Sequence, residues 1–233
     1  MPLDIKSIIY ALLFGIIPAL LWLWFWLRED RKKPEPKGRL ILTFVGGMAI
    51  VPVAIFLERL LVSGNIDVNA IPVGIIIGWA IIEELLKYGA SWLTALRSKD
   101  VNEPIDPIIY LITTALGFAA LENALFILNP IQDGLYLQSV IMGNMRFIGA
   151  TLLHIVASGT VGIALAFSFY QNKCIKKDYL WGGLILAIAL HALFNFFIIK
   201  SVNNIGIFIV FAIIWILAIV MILIFEKVKR IKK

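Results

Sequence analysis

The chain has 233 residues, 61% of them apolar, and a formal net charge of +6. Its mean hydropathy of +0.94 lies far above the range of water-soluble domains. The composition therefore excludes a soluble enzyme or a nucleic-acid-binding domain and specifies a polytopic membrane protein.

Seven stretches reach or approach the roughly 20 apolar residues that cross a bilayer. The first, 5–27, is too long for a signal peptide, is followed by no small-x-small site, and has its basic cluster after it. It is expected to be a transmembrane helix. Residues 28–39, with Pro34, Pro36 and Gly38 among charges, predict an exposed turn with no structure of its own. The second stretch, 40–62, carries Glu58 and Arg59 near its end, which suggest an interfacial ion pair. The third, 72–96, holds Glu83, Glu84 and Lys87 in its middle. After a polar loop, Pro107 suits the first turn of the fourth, 107–129, which contains Glu122 and Asn123. The fifth, 142–170, brings Arg146 and His154, and the sixth, 179–199, brings His191 and Asn195. The seventh, 205–225, has no ionisable residue and is expected to be peripheral packing. The connections are short, so residues 1–233 are expected to form one all-α integral-membrane domain of about seven helices.

Lys and Arg collect in alternate connections: Arg28, Arg31, Lys32, Lys33, Lys37 and Arg39; Arg97 and Lys99; Lys173, Lys176 and Lys177; and the tail from Lys227 to Lys233. The opposite side has only Lys6 and Lys200. The positive-inside rule then places the N-terminus outside and the C-terminus in the cytoplasm. Trp22, Trp24 and Trp26, with Tyr170, Tyr179 and Trp181, are expected to form an aromatic belt at the inner interface. Small residues four apart, Gly74 and Gly78, Ala115 and Ala119, Ser158 and Gly162, suggest close helix approach in lipid.

Each carboxylate at a bilayer centre costs about 2.5–3.5 kcal/mol on insertion scales, so two adjacent ones imply use. Lys87 lies one turn from both Glu83 and Glu84 and can bridge either; His191 and Asn195, at i and i+4, share a stripe. Counted from the outer ends at ~1.5 Å per residue, Glu83, Glu122 and His191 fall roughly 10–17 Å below the outer surface. Double ionisation of adjacent carboxylates is disfavoured in low dielectric, so Glu83 and Glu84 should titrate as a unit. A carboxylate able to exchange a proton, with water at hand, is what a general base requires.

Other chemistries fall away. The two histidines, His154 and His191, are too far apart for a His-Glu-x-x-His zinc helix. All seven aspartates (Asp4, Asp30, Asp67, Asp100, Asp106, Asp133 and Asp178) lie outside the spans, which removes an intramembrane aspartyl dyad. Ser158 has no Gly-x-Ser nucleophile turn around it. Cys174, the single cysteine, excludes an internal disulfide and a cysteine zinc site.

Glu83-Glu84-x-x-Lys87, Gly117-Phe118-Ala-x-x-Glu122-Asn123, Arg146 eight residues before His154, and His191-x-x-x-Asn195 together resemble the PrsW family of membrane proteases, within the wider group of type II CAAX prenyl endopeptidases and bacteriocin-immunity proteins. The matching pieces cover residues 72–199, the expected catalytic core. The resemblance implies a multi-pass peptidase of a prokaryotic cell membrane in which Glu83 activates water, Glu84 supports it, and His191 and Asn195 donate hydrogen bonds to the water or oxyanion. It also implies a membrane-anchored protein substrate, such as an anti-sigma factor cut near its extracytoplasmic side, and no nucleic-acid partner. The CAAX enzymes have Phe-x-x-x-His where this chain has Phe118-x-x-x-Glu122, so a second water-orienting histidine either comes from His154 or is missing. Lys87, Arg146 and Asn123 are the supporting polar groups. No cofactor is expected: the two histidines and the glutamates offer zinc ligands, but Lys87 and Arg146 supply positive charge in its place. The alternatives from other classes are a non-enzymatic membrane scaffold and a proton-coupled transporter.

Overall fold

The computed structural model describes residues 4–29, 33–62, 71–201 and 204–231. Arg31, Lys32, Lys232 and Lys233 of the basic clusters, and Asp30 and Asp67, lie outside the described residues. Helices account for the fold, and no strand occurs among the described residues. In order they are α1 (Ile5–Glu29), α2 (Lys37–Ala49), α3 (Val51–Leu61), α4 (Val73–Ser91), α5 (Asp106–Gln132), α6 (Tyr136–Met145), α7 (Thr151–Phe167), α8 (Lys173–Lys200) and α9 (Asn204–Val228). Single π-helical turns extend α4 over Trp92–Leu96 and join α6 to α7 over Arg146–Ala150.

These elements make seven membrane-length units. Six are long and apolar enough to cross a membrane, α2 with α3 and α6 with α7 each counting as one. The seventh is α4, whose three charges lie buried within the bundle. The break between α2 and α3 falls at Ile50, with Pro52 in the first turn of α3. A proline there has no N–H to give and its ring crowds the carbonyl four residues back, so the span bends. The fifth unit begins at Tyr136, six residues before the expected start at 142, after a turn through Gly134 at φ 74°.

Helix α5 occupies the centre, buried on all sides from Asp106 to Ala120, where the hydroxyls of Thr113 and Thr114 donate to backbone carbonyls of their own helix. It packs against α1, α2 and α7, while α8 and α9 lie against α7, and α4 lies against α8. Three of these crossings bring backbones together at glycine. A Cβ on Gly15 would sit 2.2 Å from the Ala120 carbonyl oxygen, one on Gly117 2.0 Å from that of Phe44, and one on Gly162 2.6 Å from the Ile108 Cα. Of the expected small-residue pairs, Gly162 does mediate close approach; Gly74 faces open space and Gly78 meets only the Leu61 side chain.

The Trp22-Trp24-Trp26 series does not form a single belt. Trp26 is buried against Phe225, Trp22 packs against Phe147 and Trp215, and only Trp24 points outward, with Arg28 over its ring. Residues two apart on a helix lie on nearly opposite faces. Nor are residues 33–39, the described part of the connection after α1, without structure: Glu35 is buried and accepts a hydrogen bond from Tyr110, Lys33 pairs with Glu103, and Arg39 Nε lies 2.7 Å from Asp100. Lys229, just beyond α9, lies 3.1 Å from Glu29 at the end of α1. The first two basic connections and the end of α9 are thus tied together on one face.

Candidate active site

Helix α4 delivers three charged side chains to the bundle interior within one turn. Glu83, Glu84 and Lys87 are 6%, 1% and 0% exposed. Each charge needs a partner, because an isolated ion in such surroundings is prohibitively costly. Lys87 Nζ lies 2.6 Å from Glu84 Oε1, 3.6 Å from Glu83 Oε2 and 2.9 Å from His154 Nδ1, and also faces the Phe118 ring. A lysine ammonium has only donors, so His154 Nδ1 accepts and its proton is on Nε2. That Nε2 points at Glu122 Oε2, 3.1 Å away.

Glu122 is in turn held by Arg146, Nη2 to Oε2 at 2.6 Å. Arg146 Nε donates to Asn123 Oδ1 at 2.6 Å, and Asn123 Nδ2 donates to Thr151 Oγ1 at 2.9 Å. The π turn that begins at Arg146 offsets α6 from α7, and its guanidinium covers the Phe126 ring. The sequence departure at Glu122 therefore has a structural counterpart. Glu122 stands behind His154 and fixes its tautomer, while the second histidine of the cluster arrives from α7.

His191, on α8, is 1% exposed and places Nδ1 2.7 Å from Glu84 Oε1, so that nitrogen carries a proton and donates. Its other nitrogen, Nε2, lies 3.8 Å from Glu83 Oε2. The two imidazole rings meet edge to face with centroids 5.3 Å apart. Glu83 Oε2 is buried and has no hydrogen-bond partner. It lies 3.6–3.9 Å from Lys87 Nζ, His191 Nε2 and His154 Nδ1, too far for direct hydrogen bonds. The 3.8 Å separation of Glu83 Oε2 from His191 Nε2 is one that a bridging water can span.

This centre opens onto a cavity of about 750 Å³. Glu83, His154, His191, Asn195, Glu122 and Arg146 all line it, whereas Glu84 and Lys87 lie behind. The structure thus gathers every expected site residue, with Asn123 in the supporting layer. Helix α9 contributes Ile207 and Phe211 to the cavity wall, so it is more than peripheral packing. Two polar lining residues were not singled out for the site from the sequence, Glu58 on α3 and Asn129 on α5. Glu58 makes no ion pair with Arg59; it faces the cavity while Arg59 is exposed. Successive helical residues lie 100° apart, a signal that separates them even in sequence.

Glu83, His154 and His191 each offer a ligand atom, and these atoms lie within 4.8 Å of one another. A catalytic zinc takes three protein ligands. Both His154 nitrogens are already committed, Nδ1 to Lys87 and Nε2 to Glu122, which leaves two free donors. The Lys87 ammonium also stands 3.6 Å from Glu83 Oε2. As these side chains stand, Lys87 is the cation among them, and the set would take a zinc only with His154 Nδ1 freed from Lys87.

The family described as PrsW family intramembrane metalloprotease matches residues 35–224. A protein named Protease PrsW from Clostridioides difficile (strain 630) is 31% identical over 189 residues, covering 79% of this chain and 77% of its own. Proteins of the same name from Geobacillus kaustophilus (strain HTA426) and Shouchella clausii (strain KSM-K16) are 24% and 25% identical, covering 80% and 94% of this chain and 79% and 95% of theirs. No solved structure matches.

Proposed function

The chain belongs to the PrsW family of bacterial multi-pass membrane proteases, and on that premise we propose that it cleaves a membrane-anchored protein with water activated by Glu83. The observation that carries this reading is the buried Glu83 Oε2, unpartnered beside His191 Nε2 at 3.8 Å and facing the cavity. Three carboxylates, Glu83, Glu84 and Glu122, stand against two fixed cations, Lys87 and Arg146. One proton on His191 Nε2 neutralises the remainder and makes that nitrogen a donor.

In the mechanism, water held between Glu83 and His191 attacks the scissile carbonyl carbon and passes its proton to the Glu83 carboxylate. The carbonyl π electrons move to oxygen, and the oxyanion accepts hydrogen bonds from His191 Nε2–H and the Asn195 amide. The C–N bond then breaks, and Glu83 returns its proton to the leaving amine. Glu84 holds His191 by Nδ1 and Lys87 by its ammonium, while Glu122 and Arg146 hold His154. No covalent acyl-enzyme and no metal enter. The word metalloprotease in the family's description would require His154 to release Lys87.

The test is cleavage of a co-expressed single-span membrane protein. His191→Ala removes an oxyanion donor and one holder of the water, so the fragment should form about 10²–10³-fold more slowly than with wild type. Undiminished cleavage by His191→Ala would contradict the assignment.

The substrate class we propose is a single-span protein such as an anti-sigma factor, cut near its extracytoplasmic end. The depth of Glu83, Glu122 and His191 supports it, given an N-terminus outside and a C-terminus in the cytoplasm. A reporter fused after residue 233 should then be active only in the cytoplasm; activity only outside would reverse the orientation and the side of the cut.

A further inference from the structure

The catalytic reading leaves one charged cavity residue without a task. Glu58 is half-buried and lines the cavity that holds Glu83 and His191. It belongs to a helical stripe: Val51, Ala54, Ile55 and Glu58, at i, i+3, i+4 and i+7, all face the cavity from α3. A carboxylate thus ends an otherwise apolar wall.

The charges nearby are already matched to other groups. Lys87 is held by Glu84, and Arg146 is held by Glu122 and Asn123. Arg59, next in sequence, is exposed on another face of α3. No ion pair joins Glu58 to a cation or to either histidine among the described residues. Of the two carboxylates without a cation-binding hydrogen bond, Glu83 has Lys87 at 3.6 Å, whereas Glu58 has no ion pair among the described residues. Glu83 is buried at the centre of the cluster, and Glu58 is half-buried on the wall of the same cavity. A negative wall in an apolar cavity favours a cationic guest and disfavours an acidic one.

We propose that Glu58 is a specificity-determining residue that binds a lysine or arginine side chain of the substrate beside the scissile bond. The proposal rests on the protease reading above. Its occupant is a single-span polypeptide whose apolar segment fills the lining formed by Phe126, Met142, Met145 and Phe211, and whose flanking basic side chain reaches Glu58.

The experiment uses the full-length protein and a cleavable single-span substrate with lysine, glutamine or glutamate scanned through the positions flanking the cut. Wild type should cleave the lysine substrate about tenfold or more faster than the glutamine one at one position, mainly through KM, and the glutamate one slowest. Glu58→Gln should flatten that order, lowering the lysine substrate to the level of the glutamine substrate. Glu58→Lys should invert it, so that the glutamate substrate becomes the preferred one. An unaltered lysine preference in Glu58→Gln would overturn the proposal. So would an equal slowing of all three substrates, which would assign Glu58 to the chemistry or the fold. Wild-type cleavage of the glutamine substrate checks the protease reading separately.

Discussion

Glu83→Gln should lower cleavage about 10³-fold, or to background, while the protein still inserts and accumulates like wild type. The amide keeps the size of the side chain but cannot take a proton from water, and a positioned general base contributes about 10²–10⁴-fold. Folding should tolerate the change because Glu83 Oε2 makes no hydrogen bond, only longer ionic contacts at 3.6–3.9 Å. Glu122→Gln should show the opposite balance. It weakens the 2.6 Å contact with Arg146 and the support of His154, so protein levels should fall more than turnover per folded molecule. A dead Glu122→Gln beside an active Glu83→Gln would exchange their roles.

Lys87→Met should be the most damaging single change to stability. Lys87 is fully buried, and its ammonium compensates Glu84 at 2.6 Å while donating to His154 at 2.9 Å. Removing one member of a buried ion pair leaves an unpaired charge at a cost of about 3–5 kcal/mol. Thermal melting in detergent should show the loss, and Lys87→Met combined with Glu84→Gln should recover much of it, since neither charge then remains. The glutamine oxygen can still accept from His191 Nδ1. If Lys87→Met melts like wild type, the buried network does not hold the site together.

The helix count and the polar centre were legible in the sequence for the same reason. Bilayer-length apolar stretches are conspicuous, and Glu83, Glu84, Lys87, Glu122, His154 and His191 are conspicuous inside them. Spacing along one helix also foretold that Lys87 would reach both carboxylates and that His191 and Asn195 would share a face. What spacing could not supply was the relation between helices. The pairing of His154 with Glu122, and of Arg146 with both Glu122 and Asn123, depends on how α5 meets the π turn before α7. Gly15, Gly47 and Gly117 escaped the four-residue pattern because each is matched to a backbone on another helix. Glu58 was misread through its neighbour: adjacency to Arg59 suggested a pair, whereas the 100° step turns one residue to the cavity and the other away.

In the proposed mechanism a glutamate activates the water, and the Lys87 ammonium supplies the positive charge beside it. The most direct measurement is cleavage of a single-span substrate by purified protein in vesicles, with metal content determined on the same sample and with chelator added. Cleavage that persists in chelator, from protein without stoichiometric zinc and absent in Glu83→Gln, is the predicted result. One zinc per chain, with activity lost to chelator and restored by zinc, would contradict it.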